Sequence, residues 1–302
     1  MLLSRLTREE AAELTYMWEF WARPEQIAPE GDWPIWLVKA GRGWGKTRVG
    51  AEWVRGKKEK VGRIALIGPT AADVRDVMVD GDSGLISISP PWDKPEYQPS
   101  KRRIVWNNGS VAYMYSADEP ERLRGPQHGE AWCDEIGSWR YPDTWDMMMF
   151  GLRLGKNPQV VATTTPRPTP LMKQIQNMSN VVITRGSTYD NRANLAASFF
   201  TSIITKYEGT RLGRQELEGH DLDDNPGALW QRDTIDSARV RKALDMVRIV
   251  VAVDPAVTSG EDSDETGIIV AGKDEFGHAY IIEDCSVKGT PDEWGQIGRA
   301  HV

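Results

Sequence analysis

The sequence predicts an α/β protein built on a mostly parallel sheet, and three observations carry that expectation. Short apolar runs alternate with longer amphipathic ones from about Trp33 to Val182, the pattern of strands joined by covering helices. The stretch "LVKAGRGWGKTRVGAEWV", residues 37–54, sets a glycine-rich turn between one such strand and one such helix. From Met246 strand character returns as "VRIVVAVD", "TGIIVAG" and "AYIIEDCSV", joined by turns that suit an antiparallel meander.

Each element has its own justification. "IWLVKA" reads as a buried strand and "GKTRVGAEWVRGKKEK" as the helix after it. "RIALIG" is a second strand, followed by "TAADVRDVMVDG" as a helix. In "RIVWNNGSVAYMYS", Asn108-Gly109 suits a tight turn between β-rich flanks, so the stretch reads as a hairpin. "EAWCDE" is a short strand, "YPDTWDMMMFGLRLG" a helix and "PQVVATTT" another strand. Strand signals then fade: "ANLAASFFTSIITKYEGTRLGRQELEG" reads as two helices broken near Glu208-Gly209, and "HDLDDNPGALW" as a polar connector. The expected organisation is a first domain over 1–185, a helical lid and linker over 186–245, and the first strands of a second α/β domain over 246–302. That second domain is expected to be truncated, at roughly a third of a plausible unit.

Bulk properties narrow the function classes. With 302 residues, 40% of them apolar, the chain can bury a sizeable core, and its 13 tryptophans read mainly as packing residues. The net charge of −7 gives no global signature of nucleic-acid binding. Local basic groups exist at Arg55, Lys57, Lys58, Lys60 and Arg63, and again at Lys101, Arg102 and Arg103; such runs read first as solvated faces. No stretch approaches the roughly 18 apolar residues of a membrane helix, and "MLLSRLTREEAAEL" lacks the apolar block of a leader. Cys133 and Cys285 form no disulfide framework or zinc spacing. A soluble, cytoplasmic protein without membrane contact is expected.

The chemistry concentrates at a few places. A strand entering a glycine-rich turn and then a helix lets backbone N–H groups surround a phosphate. Gly41, Gly43 and Gly45 would form that turn, Lys46 would reach the β- and γ-phosphates, and Thr47 would ligate Mg²⁺. Ala40 stands where the usual pattern has its first glycine; a small residue serves that turn. Nucleoside triphosphate hydrolysis also needs an acid for the metal and a group for the attacking water. Five Asp-Glu dipeptides occur, but in the first domain only Asp134-Glu135 directly follows an apolar run. Asp134 would then hold Mg²⁺ through water, and Glu135 would polarise the nucleophile. Arg42 and Arg124 are sources of positive charge for the γ-phosphate. Thr163, Thr164 and Thr165 end a strand, where hydroxyls could sense it. Gln26, upstream of the loop, could read an adenine edge. Asp254 ends the run "RIVVAV", where two-metal nucleases begin their metal site, with Asp262, Asp264, Glu283 and Asp284 nearby in sequence.

Together these residues resemble the large terminase subunit of tailed bacteriophages. "ARPEQI" is similar to that family's adenine-reading segment, "AGRGWGKTRVGAEW" to its phosphate loop and "RLRGPQHGEAWCDE" to its metal and base acids. "VVATTTP" resembles the coupling motif, "STYDN…GALW" the lid and linker, and "VAVDP…SDETGIIVAG" the start of the nuclease. The resemblance implies an additional-strand P-loop ATPase followed by an RNase H-like nuclease. It implies ATP and Mg²⁺ at Gln26, Lys46, Thr47, Asp134 and Glu135, and an arginine finger at Arg42 or Arg124. Coupling would fall to Thr163–Thr165, and nuclease metals, Mg²⁺ or Mn²⁺, to Asp254 and Asp264. The implied activity is ATP-driven packaging of double-stranded viral DNA into a procapsid, with DNA cleavage defective or absent in the truncated chain. The implied partners are the portal protein, the small terminase subunit and further copies in a homo-oligomeric ring, in the host cytoplasm. A helicase-like or signalling NTPase would share the loop and acids, and an inactive prophage remnant would share the whole pattern.

Overall fold

The computed structural model describes residues 6–58, 62–220, 235, 237–240, 245–256 and 265–290. The chain divides into two compact units, Met1–Asp223 and Asp224–Val302, each described by itself. Asp262, Asp264 and the "GALW" segment lie outside the described residues.

The first unit holds β1 (Ile35–Ala40), β2 (Arg63–Gly68), β3 (Glu96–Gln98), β4 (Arg103–Val105), β5 (Val111–Ser116), β6 (Glu130–Cys133), β7 (Gln159–Thr164) and β8 (Val181–Gly186). They form one sheet in the order β3-β4-β5-β2-β6-β7-β1-β8. The six strands from β5 to β8 in that order pair in parallel, while β3 and β4 add an antiparallel edge. β7 therefore stands between β1, which leads into the glycine-rich loop, and β6, which leads into Asp134-Glu135. That inserted strand is the additional-strand arrangement expected from the resemblance. The edge strands β3 and β8 were not legible as strands. β3 is only three residues long, and β8 is half-buried apart from an exposed Arg185, so neither shows a strong apolar pattern of its own.

Every residue of β1, β6 and β7 is buried, because a parallel sheet is covered on both faces. Side chains alternate between two cores. Trp36, Val38, Leu66, Trp132 and Val161 lie on one face with the helix Lys46–Lys57. Ile35, Leu37, Ile67, Cys133 and Ala162 lie on the other with Met148, Leu171 and Ile175. Trp36, Trp44, Trp106, Trp132 and Trp145 are among the largest fully buried side chains, which is the packing role expected of tryptophan. At Gly50 the helix lies against the Trp132 indole so closely that a Cβ would stand 2.1 Å from Cε2.

The helix expected over "TAADVRDVMVDG" is one α-turn, Ala71–Asp73, followed by a π-helix, Val74–Val79. Its buried residues are Val74, Met78 and Val79, spaced by four and five, so a wider turn keeps all three on the core. The 197–216 region forms helical turns to Tyr207 and a helix Arg211–Glu216, broken where the sequence indicates.

The second unit contains β9 (Met246–Asp254), β10 (Gly267–Asp274) and β11 (Ala279–Asp284), an antiparallel sheet in the order β11-β10-β9. Ile268 and Val270 are buried on β10. Asp274 closes the β10–β11 turn, accepting from the N–H groups of Phe276 (3.0 Å) and His278 (2.8 Å).

Candidate nucleotide site

The site begins with a loop whose backbone favours glycine. Gly43 and Gly45 adopt φ of +72° and +104°, a region open to glycine at no steric cost. Gly45 is the N-cap of the helix Lys46–Lys57, so that helix starts abruptly after β1 and offers the free N–H groups of its first turn. Gly43, Gly45, Lys46 and Thr47 line a cavity of about 850 Å³, shared with Asp73, Glu135, Thr165 and Arg167.

Lys46 is 7% exposed, and its ammonium rests on its own loop and the neighbouring strands. It donates to the carbonyls of Ala40 (3.2 Å) and Gly41 (3.3 Å) and to Thr165 Oγ1 (3.0 Å). The Glu135 carboxylate lies 3.5 Å away. Asp134, just beyond β6, is buried, and Trp139 Nε1 donates to its backbone carbonyl at 3.0 Å. The Thr163 hydroxyl donates to Asp134 Oδ1. Burial, then the charge of Glu135, pushes the Asp134 carboxyl up to about 7, against the opposing pull of Thr163 and Lys46.

Glu135 is one of two non-glycine residues with positive φ among the described residues, at +46°, a conformation that costs on the order of 1 kcal/mol. That turn lets the Glu135 carboxylate accept from Thr165 N–H (3.2 Å) and from Thr165 Oγ1 (3.4 Å). Thr164 Oγ1 accepts from Gly137 N–H at 3.1 Å. All three threonines are therefore tied to the acid segment or to Lys46.

The loop is also braced from behind. Arg23 Nη2 donates to Trp44 O at 2.6 Å, and its other arm to Asn191 Oδ1 at 2.9 Å. Asn191 Nδ2 donates to Gly43 O at 2.6 Å, and Thr188 Oγ1 to Arg42 O at 2.7 Å. Arg42 pairs with Glu216 at 2.6 Å, and its N–H donates to the Glu216 carbonyl at 2.7 Å.

Of the residues singled out in the sequence, Lys46, Thr47, Asp134, Glu135, Thr163–Thr165 and the loop with Arg42 are brought together. Gln26 is buried against the loop, outside the large cavity. Its Oε1 accepts from Arg23 N–H (3.1 Å), and its Nε2 donates weakly to Trp44 O (3.4 Å). Arg124 is not at the cavity: it is exposed and pairs with Glu121 at 3.1 Å. Asp254 belongs to the second unit. Sequence reasoning missed Arg23, Thr188, Asn191 and Glu216, which act through backbone carbonyls or from distant segments. It also missed Arg167, two residues beyond the threonines, because an exposed arginine after Pro166 carries no pattern.

The donors fit a magnesium-bound triphosphate. Asp134 and the Thr47 hydroxyl are hard oxygen ligands, and Mg²⁺ takes few protein ligands beside phosphate and water. Among the described residues, no group of three or more His, Cys, Asp or Glu gathers to hold a metal by itself.

A glycine-rich loop after one parallel strand, a Lys-Thr pair opening the next helix, and acids beyond an inserted strand define a P-loop-type nucleotide-binding domain. The chain belongs to the large terminase family: the family model "Terminase large subunit, T4likevirus-type, N-terminal" matches residues 37–237. Two solved structures share the fold. The large terminase of a thermophilic bacteriophage, solved in complex with ADP, is 14% identical with a TM-score of 0.53, over 95% of this chain and 71% of that one. The large terminase ATPase domain of Thermus phage P74-26 is 12% identical with a TM-score of 0.51, over 67% of this chain and 94% of that one. No curated protein sequence matches the chain. Among the described residues, no helix is long and apolar enough to cross a membrane.

Proposed function

We propose that this chain hydrolyses ATP to drive double-stranded viral DNA into a procapsid. The observation that carries the reading is the convergence of Lys46, Asp134, Glu135 and Thr165 at the ends of three adjacent strands.

In this reading Gly43 and Gly45 bring backbone N–H groups to the triphosphate, whereas the Gly41 N–H donates to Gly186 O at 3.0 Å and only shapes the entry to the loop. Lys46 leaves the carbonyls of its loop for the β- and γ-phosphates. Thr47 and Asp134 hold Mg²⁺, which when bound offsets charge on the transferring phosphoryl oxygens. Glu135 accepts a proton from the attacking water, held in place by Thr165 N–H. Thr163 touches Asp134 while Thr165 touches both Lys46 and Glu135, so a change at the phosphate is felt by the end of β7; these threonines are the coupling element. Arg42 supplies charge within the subunit on leaving Glu216. Arg124, remote from its own cavity, acts on a neighbour in a homo-oligomeric ring. Gln26 keeps one amide N–H and one lone pair for an adenine edge.

The portal protein and the small terminase subunit are the other partners, met in the host cytoplasm. Asp254 and Asp264 begin a nuclease centre that uses Mg²⁺ or Mn²⁺. Two carboxylates alone do not complete a two-metal site; cleavage by this chain is expected to be defective, and metal-dependent cutting abolished by Asp254→Ala would overturn that.

The motor reading is tested by ATP turnover with and without duplex DNA. Turnover should rise with duplex, without strand separation, and vanish in Lys46→Ala. Turnover indifferent to Lys46, or coupled to unwinding, contradicts the reading.

A further inference from the structure

We propose that the basic, tyrosine-lined corner beside β3, β4 and β5 is a contact surface for the phosphate backbone of double-stranded DNA. The proposal rests on the packaging reading and adds the place where the motor domain touches its cargo. Two cavities, of about 240 and 340 Å³, share Arg102 and Tyr115. Arg75 lines the first; Lys101, Arg122 and Tyr113 line the second. No carboxylate lines either cavity, in a chain whose net charge is −7.

The fold adds a distant arginine to a short basic run. Lys101 and Arg102 lie between β3 and β4, whereas Arg122 comes from the turn Pro120–Leu123. Arg102 Nη1 and Arg122 Nε both donate to Glu119 Oε2, at 3.1 and 2.9 Å. One carboxylate therefore holds two guanidiniums side by side and compensates only one of them. Lys101 has no ion pair among the described residues, so the three cations keep a surplus of two charges. The Arg102 and Arg122 side chains are 47% and 53% exposed, which leaves them hydrated and within reach of a ligand.

The backbone supports the same conclusion. Arg102 has φ +46°, a conformation glycine would take without strain and arginine takes at a cost on the order of 1 kcal/mol. The turn is pinned by Arg102 N–H to Pro99 O (3.0 Å) and Met114 N–H to Arg102 O (2.9 Å). A long cation is thus held where a glycine would be easier. Arg63 lies over the Tyr113 ring at 5.7 Å, adding charge behind the tyrosines. Tyr113 and Tyr115 are half-buried on a strand, so they offer hydroxyls to phosphate oxygens rather than open faces for splayed bases. Contacts of this kind read no sequence, as a motor moving along any duplex requires.

The test is binding of a 30-base-pair duplex of arbitrary sequence, read by fluorescence anisotropy across a salt series. It compares the wild-type chain with Lys101→Ala/Arg102→Gly/Arg122→Ala, in which glycine relieves the strained turn. A second triple, Arg8→Ala/Arg140→Ala/Lys156→Ala, removes three exposed cations that line neither cavity. DNA-free ATP turnover should be unchanged in both, showing that they fold. The corner triple should bind about ten-fold more weakly or worse at low salt, with a salt slope smaller by roughly 2 to 3. The second triple should bind within about two-fold of wild type. Equal binding by the corner triple and wild type overturns the corner and leaves the packaging reading standing. Equal loss in both triples overturns it in favour of net charge alone. Tighter binding of single-stranded RNA or anionic vesicles than of duplex overturns the choice of partner. A wild-type chain that binds no duplex at any salt removes the packaging reading and the proposal with it.

Discussion

Asp134 and Asp254 stand in nearly the same local sequence, each just after or at the end of an apolar strand, yet they meet different fates. Asp134 is 4% exposed, and Thr163, Trp139, Glu135 and Lys46 surround it. Asp254 is exposed at the end of β9, and among the described residues β9 pairs only with β10. The difference is topological. In the parallel sheet, the ends of β1, β6 and β7 lie at the same edge, so residues distant in sequence converge there. In the antiparallel meander, successive strands end at opposite edges, and a strand-end acid does not gain its neighbour's strand end. Asp134 owes its neighbours to a sheet that brings other strand ends beside it.

The sharpest way to break that comparison is Lys46→Ala. It removes the cation held at the parallel edge beside Thr165 and Glu135, and on the proposed function ATP turnover should fall by about 100-fold or more. Asp254→Ala should leave turnover unchanged. Next in size is Gly50→Ala, which drives a methyl into Trp132 behind the loop. The overpacking should cost about 1–3 kcal/mol, visible as a lower urea midpoint.

The Asp134 carboxyl gives a third, pH-dependent test. Its folded value of about 7 lies above its ordinary 3.8. Between those values the folded protein holds more protons than the unfolded chain, so stability falls as pH rises through the window and stays low above it. Asp134→Asn removes that loss. Without nucleotide its melting temperature should exceed wild type by a few degrees, roughly, at pH 8, and the gap should close as pH approaches 4. A constant gap would place the cause in packing rather than charge. The smallest effect belongs to Glu216→Gln. Its partner Arg42 has a side chain 68% exposed, so stability should change by less than about 1 kcal/mol.

Much of the parallel sheet was legible because β1, β2, β6 and β7 are buried on nearly every residue and each contains a short apolar run. The glycine-rich loop and Asp134-Glu135 were legible as neighbours because each directly follows one of those strands. The brace behind the loop was not. Arg23, Thr188 and Asn191 hold it through carbonyls of Trp44, Arg42 and Gly43, and a hydrogen bond to a carbonyl leaves no signature in the residue it reaches. Arg124 reads like a finger but pairs with Glu121 away from its own cavity. The π-helical turn over Val74–Val79 was read as an ordinary helix because its four apolar residues, at mixed spacing, fit either period.

In the proposed function Glu135, turned back onto β7 by a left-handed backbone, is the group that activates water at this edge. Glu135→Gln keeps the side chain's size and one acceptor for Thr165 while removing the base. ATP binding and single-turnover hydrolysis measured on that variant test the claim directly. Binding within a few-fold of wild type, with hydrolysis lowered by about 100-fold or more, is the predicted result. Hydrolysis at the wild-type rate would contradict it and place the base elsewhere.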